Sequence, residues 1–550
     1  RMRHLTGSNG DRSRARRLAA AVLVVVLGLL SSACAAPAGT TRAAPTLAAT
    51  QPGTTAPEPA GASGVLRLWW PTPRSLNPLT AATPAERAVY DLVYEGLCRI
   101  EADDSVSWQL AENLLFLEGG RQVLVALRQD ITFHDGTPLT AGDVVGVMTA
   151  ILDPASTSPW REGLENVVSV RTLNDQVLEI LLAEPDPWLA WALVFPVIPA
   201  SYLDADPFAP VPGTGPYAVR LYDPDQGLTL IRQAVSETEP GLDEILVKAY
   251  ADQREAMKAL EQDELDLVLL DGQALPLYSV RSSLRLDRFA SGELLLFLCN
   301  DQVKRPLNDT AVRSQVKLVL ESWRTAPELP EWIATGETGQ LAGSWLTRTD
   351  EPVAAAAILS GHNTQAVWAD KPLQLIVPSQ DARRHELATA AAGELEAAGQ
   401  ACTVVPLEPE PFWQALLEGR YDLALLSATL PDKPDPGLLI RESRPLNFSG
   451  LDSLAASRGG LDGFETWRDR FLSLKATPER DYSRAEQLSA DWQAAWNEAL
   501  ARSNWSIVGY PCQGLAYSSR VLGQLRPNRY HPYDGMKELW IWSSPSSSSY

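Results

Sequence analysis

The run Phe133-His-Asp-Gly-Thr-Pro-Leu-Thr-Ala-Gly-Asp-Val-Val145 narrows what this chain can fold into more than any other stretch. Asp135-Gly136 followed by Pro138 marks a turn, because Gly accepts positive φ and Pro fixes its own. Thr140 with Asp143 three residues on has the form of a capping box, Asp standing where Glu or Gln is usual. Val144, Val147, Met148 and Ile151 then recur at helical spacing until Pro154 ends the run. The run therefore predicts a strand, a turn and a capped helix. It holds no catalytic residue of its own.

Two further segments share one pattern. Ala256-Met-Lys-Ala-Leu-Glu261 leads into the apolar run Leu265-Asp-Leu-Val-Leu-Leu270, and Phe412-Trp-Gln-Ala-Leu-Leu-Glu-Gly419 leads into Tyr421-Asp-Leu-Ala-Leu-Leu426. A helix, a short turn and a continuous apolar strand describe a buried parallel strand in an α/β layer. Upstream of the second copy, Leu373-Gln-Leu-Ile-Val377, an Ala/Glu/Leu helix over 382–398, Gly399 as its C-cap and Cys402-Thr-Val-Val405 predict a βαβ unit. Two α/β regions imply two lobes.

Six arginines precede the apolar run 18–30, giving the charge and length of a signal peptide over residues 1–33. Leu30-Ser-Ser-Ala-Cys34 has the form of a lipoprotein cleavage site, with Ser31 where Leu is favoured. The expectation is a lipidated Cys34; ordinary cleavage near 33–36 is the alternative. Residues 34–63 are rich in Ala, Thr, Pro and Gly and predict a flexible tether. Removing residues 1–33 leaves 41 basic and 67 acidic residues, a net charge near −26. Such an acidic chain argues against nucleic acid and against a polybasic membrane patch. About 517 remaining residues suit two or three domains.

Chemistry-bearing motifs are scarce. The five histidines, His4, His134, His362, His385 and His531, form no metal-ligand spacing. No nucleophile elbow, Walker loop or CxxC is present, and no cofactor is expected. Gly213-Thr-Gly-Pro216 lacks the helix start that a phosphate loop needs, so it predicts a tight turn. Cys98, Cys299, Cys402 and Cys512 allow three disulfide pairings; their apolar surroundings favour buried free thiols.

The Phe133 run resembles the signature of the family 5 extracellular solute-binding proteins, the peptide-, dipeptide- and nickel-binding subunits of ABC importers. In the order the family shows, the chain also carries Ser75-Leu-Asn-Pro78, Tyr94-Glu-Gly-Leu97, Pro212-Gly-Thr-Gly-Pro-Tyr217, Glu264-Leu-Asp-Leu267, Phe297-Leu-Cys-Asn300, Pro306-Leu-Asn-Asp309, Gly419-Arg-Tyr-Asp-Leu423 and Pro434-Asp-Pro436. The resemblance implies a two-lobed α/β fold of the type II periplasmic-binding-protein kind, with an extra subdomain inserted in lobe one. Lobe one would hold 64–290, with the extra subdomain over 85–205, and would be rejoined by 508–545. Lobe two would hold 291–507, and 546–550 would be a disordered tail. The chain would cross between lobes at Gly292-Glu-Leu-Leu-Leu-Phe-Leu-Cys-Asn300 and return at Asn504-Trp-Ser-Ile-Val-Gly-Tyr-Pro511.

The resemblance also implies a function: a lipid-anchored, monomeric binding protein on the extracytoplasmic face that captures a solute, foremost a peptide, for ABC permease subunits. Peptide sensing or chaperoning without transport, and a nickel chelate or a sugar as ligand, remain open. In peptide-binding relatives an acid three places before an Asp-Pro step receives the ligand's ammonium group, and Asp432 holds that place before Asp435-Pro436. Lys433 next door is the rival partner for Asp432. Thr429 stands where relatives often carry Trp. Thr72, Arg74 and Ser75 are the candidates in lobe one, and Trp69, Trp70, Trp413 and Trp505 are placed near the cleft edges. Arg348 and Arg383 are the cations considered for a ligand carboxylate.

Overall fold

The computed structural model describes residues 62–81, 83–186, 188–233, 242–272, 274–278, 284–324, 332–334, 367–430, 432–433 and 504–542. The expected signal peptide, Cys34, most of the tether, Arg348, Asp435-Pro436 and the tail lie outside them.

A sheet with 12 described strands runs through the protein. Its ladder contains β1 (Val65–Trp70), β2 (Leu267–Leu270), β3 (Leu284–Ala290), β4 (Glu293–Cys299), β5 (Leu423–Thr429) and β6 (Trp505–Ser518). β6 is the shared spine. Its first half, from Trp505 to Gly509, pairs antiparallel with β4, and its second half, from Cys512 to Ser518, pairs with β3. β2 flanks that second half, and β1 lies parallel to β2. On the far side of β4 lies β5, followed by the parallel strands Leu373–Pro378 and Cys402–Leu407. The chain thus passes between the two halves of the sheet at Ser291–Gly292 and again within β6.

Phe297, Val316, Leu375, Leu387 and Leu425 pack in the half carrying β4 and β5. A larger cluster spans both halves: it takes in Leu66, Leu68, Trp70 and Ile245 from one and Leu294, Leu296, Phe412 and Leu426 from the other. The βαβ unit forms as its sequence predicts. The helix Ala382–Ala398 ends at Gly399, whose φ of 107° is the left-handed C-cap that Gly takes without a Cβ clash.

The Phe133 corner forms its turn and its capped helix, but in place of the expected strand there is only an isolated antiparallel bridge between Thr132 and Pro138. In chain order, label α1 (Pro84–Tyr90), α2 (Ala141–Leu152) and α3 (Ala382–Ala398). Gly136 has φ 84°, and its N–H donates to Phe133 O at 2.8 Å. Thr140 N–H donates to Asp143 Oδ2 at 2.9 Å, closing the box at the start of α2. Val144, Val147, Met148 and Ile151 are fully buried. α2 packs on a separate four-stranded antiparallel sheet, ordered Ala111–Leu117, Gln122–Leu127, Val177–Leu182, Val167–Asn174.

His134 ties this corner to the Gly213 turn. Its backbone N–H donates to Gly213 O at 2.9 Å, and its Nδ1 accepts from Gly213 N–H at 3.1 Å. Its Nε2 lies 2.9 Å from Gly215 O. Nδ1 is therefore an acceptor and Nε2 carries the proton, the neutral imidazole. The turn needs glycine for close approach: a Cβ on Gly213 would sit 2.0 Å from Val93 O. Cys98, Cys299, Cys402 and Cys512 are all free and buried.

Candidate functional site

A cavity of about 600 Å³ opens where the chain crosses between the lobes. Ser291, Gly292, Pro511, Cys512 and Gln513 line it from the crossings. One wall carries Arg87 and Asp91 of the α1 region, Trp160, Trp191, Asp271 and Gly272. The other carries Asp381, Arg383 and Arg384 at the start of α3, and Thr429, Leu430, Asp432 and Lys433 after β5. Arg529, Tyr530, His531 and Pro532 complete it from the C-terminal segment.

Lys433 does not turn to Asp432. Its Nζ donates to Asp186 Oδ2 at 2.7 Å, and both side chains are about nine-tenths buried, at 10% and 8% exposure. Asp186 Oδ1 is held in turn by Trp188 N–H at 2.9 Å. The lysine charge is spent across the cleft, and the half-buried Asp432 accepts no hydrogen bond and forms no ion pair among the described residues.

Asp432 feels the charge of Arg529, whose hydrogen bonds go elsewhere. Arg529 Nη2 donates to Asp104 Oδ1 at 2.6 Å, and Tyr530 OH donates to the same oxygen at 2.7 Å. The guanidinium lies over the Tyr530 ring, 4.4 Å from its centroid. Burial works against the Arg529 charge. Tyr530, Asp104 and Asp432 outweigh it and hold the pKa above the ordinary value. Tyr530 is pushed far up, chiefly by burial, and stays a neutral donor.

Arg383 bridges the lobes from α3. Its Nη1 donates to Gly272 O, and its guanidinium lies 5.4 Å from the Trp332 ring centroid. Burial pulls its pKa down, against the pull of Asp381 and Asp271.

Of the residues singled out by sequence, Asp432 and Thr429 line the cavity, Thr429 as the last residue of β5 opposite Glu293. Thr72, Arg74 and Ser75 do not; that loop reaches the lining first at Pro78. Thr72 and Arg74 are exposed, and Ser75 Oγ is taken up by backbone, donating to Pro207 O at 3.1 Å and accepting from Asn77 N–H at 3.0 Å. Trp69, Trp70 and Trp505 are core residues and Trp413 lies outside the lining; the tryptophans at the cavity are Trp160, Trp191 and Trp332. Sequence reading missed Arg87, Trp160, Asp104 and the Arg529-Tyr-His531 run. Only that last run carried a local signal, as three polar and aromatic side chains in a row. Among the described residues no three His, Cys, Asp or Glu side chains converge as a metal site.

Comparison with known proteins bears on the family and the fold. Residues 106–442 match the bacterial extracellular solute-binding proteins, family 5 middle. The chain is 27% identical over 387 residues to the probable ABC transporter periplasmic-binding protein SapA of Escherichia coli K12, covering 60% of this chain and 67% of that one. It is 33% identical over 134 residues to the probable deoxycholate-binding periplasmic protein YgiS of the same strain, covering 20% of this chain and only 25% of that one. The periplasmic murein tripeptide binding protein MppA, in an unliganded open form, superposes with a TM-score of 0.68 at 16% identity, over 88% of this chain and 99% of that one. At that identity the likeness speaks for the fold: two lobes of mixed α/β structure. The chain belongs to the bacterial extracellular solute-binding proteins of family 5.

Proposed function

We propose that this protein captures a short peptide between its two lobes and presents it to an ABC permease, with Asp432 receiving the peptide's ammonium group. The observation that carries this reading is the division of labour between neighbours: Lys433 is committed to Asp186, which leaves Asp432 on the cavity wall with no hydrogen bond or ion pair among the described residues, Arg529 acting on it only through its longer-range charge. A half-buried carboxylate in that state favours a cation that can donate hydrogen bonds. Thr429 lies beside it at the end of β5, where ligands sit in open α/β sheets.

The lobe division proposed is 64–290 with 508–545 against 291–507, and ligand contact with both lobes favours closure about the crossings. The protein acts as a monomer at the extracytoplasmic face, held by lipid on Cys34. The Arg-rich segment before the apolar run 18–30 and the tether after it support that anchor.

Calorimetry with free and N-acetylated short peptides tests the amino anchor. Removing one partner of a buried charge pair costs about 2–5 kcal/mol, roughly 30-fold or more in affinity. Acetylation, or Asp432→Asn, is expected to lower peptide affinity on that scale while the melting temperature of the free protein stays near native. Equal binding of free and acetylated peptides contradicts the reading and turns it toward a non-peptide solute.

A further inference from the structure

The antiparallel hairpin of Cys98–Ile100 and Val106–Trp108 turns through Asp104. Asp104 has φ 64°, in the left-handed region that Asp and Asn enter more readily than other residues with a side chain. Its N–H donates to Glu101 O at 3.0 Å and closes the turn. The residue does not line the cavity, yet three side chains that do line it converge on it. Arg529 Nη2 and Tyr530 OH donate to its Oδ1 at 2.6 and 2.7 Å, and Trp191 Nε1 donates to its carbonyl oxygen at 2.9 Å.

The charges of this corner do not cancel. Two carboxylates, Asp104 and Asp432, act on the Arg529 charge, and among the described residues only Asp104 is bonded to the guanidinium. The Arg529 and Asp104 side chains are 6% and 4% exposed, so water screens the pair little. Arg529 also has donors to spare. Its Nη2 serves Asp104 and the Tyr530 hydroxyl, while its Nε is buried with no acceptor. A guanidinium has five N–H donors and cannot shed its charge. Without the charge on Asp104, Asp432 would be the carboxylate left to balance it.

We propose that Asp104 is a positioning residue of the ligand site: its carboxylate ties down Arg529, so that the guanidinium does not neutralise Asp432 and one negative charge is left over for the ligand's ammonium group. This rests on the Asp432 reading above. On the lobe division proposed there, Asp104 and Arg529 belong to lobe one and Asp432 to lobe two. An Arg529 released from Asp104 would therefore pair across the cleft in the ligand's place. Asp104 touches no ligand and acts through Arg529.

The test uses the full chain and two pools of mixed tripeptides, free or acetylated at the amino end, with bound fractions read by native mass spectrometry. The native protein is expected to prefer the free pool by about 30-fold or more. Asp104→Asn is nearly isosteric, suits the left-handed backbone and keeps an oxygen for Arg529 and Tyr530, so it removes the charge alone. It should lower binding of the free pool about tenfold or more and leave the acetylated pool unchanged. The double variant Asp104→Asn with Arg529→Gln should regain the preference for free amino ends, because no cation is left to neutralise Asp432. Equal losses in both pools, which a merely structural role would give, overturn the proposal. So does a double variant that fails to regain the preference. If Asp104→Asn alone does not fold, the double variant still decides, since it leaves no bare charge in the corner. A native preference for free peptides that Asp104→Asn retains sinks the role of Asp104 and leaves the Asp432 anchor standing. Indifference of the native protein to acetylation, or binding of neither pool, sinks the anchor and this role with it.

Discussion

Replacing Lys433 by Met removes one member of an ion pair whose side chains are 10% and 8% exposed. With so little water at the pair, the loss needs no discount for solvent screening. Asp186 would keep its bond from Trp188 N–H at 2.9 Å but lose the 2.7 Å bond from the ammonium. Removing one partner of a buried pair costs about 3–5 kcal/mol, because the remaining charge is left uncompensated. For a cooperative unit of 150–250 residues that is a drop in melting temperature of roughly 6–20 °C. Asp186→Asn alone should also destabilise. The double variant Lys433→Met with Asp186→Asn should recover a large part of the loss, because no bare charge remains. Thermal melts of the four proteins, followed by tryptophan fluorescence, give the coupling directly. A Lys433→Met protein within about 1 kcal/mol of native, with no coupling to Asp186, would refute the reasoning. Lys433 would then be solvated and available to neutralise Asp432, and the ammonium site would lose its basis.

Other outcomes follow from the same structure. His134 has its pKa lowered, chiefly by burial and against the pull of Gly215 O, so the unfolded chain takes up the proton first. Its contribution to stability is therefore complete above the unfolded value of about 6.5 and is lost as pH falls from there toward the folded value. Urea melts at pH 7.5 and 5.5 should show a larger acid loss for the native protein than for His134→Gln; equal losses would count against the neutral tautomer. Burial pushes Cys98 and Cys402 up to about 12, and Cys299 and Cys512 up to about 11. All four should resist alkylation at pH 8 until the protein is unfolded, as peptide mapping would show; rapid labelling of the native protein would contradict their burial. Gly213→Ala should destabilise strongly, since its Cβ would meet backbone at Val93 O rather than a side chain that can move; a near-native melt would mean that the turn shifts freely.

How much of this was legible in the sequence depended on distance along the chain. The Phe133 corner was readable because each cause lies within a few residues: Gly136 for the turn, Asp143 for the cap of Thr140, and a 3.6-residue apolar repeat for α2. The βαβ unit from Leu373 to Leu407 was readable for the same reason, down to Gly399. The site was not. Lys433 stands 247 residues from Asp186, and Arg529 stands 425 from Asp104. No spacing rule links such pairs; only the finished sheet brings them together. Thr72, Arg74 and Ser75 lie off the cavity lining, which their loop reaches first at Pro78, and the Ser75 hydroxyl is taken up by the backbone of Pro207 and Asn77. The misplaced tryptophans have a similar cause. Trp69 and Trp70 lie in a central strand covered on both faces, where a large indole is core material.

The central claim is that the cavity holds a peptide by its ammonium group at Asp432. Native mass spectrometry of the protein purified gently from its host tests it most directly, alongside Asp432→Asn purified in the same way. The account predicts native protein carrying extra masses that fragment as short peptides with free amino ends, and Asp432→Asn emerging largely empty. A metal chelate, a sugar or a bile acid in the native protein, or the same peptide masses at the same occupancy in Asp432→Asn, would contradict it.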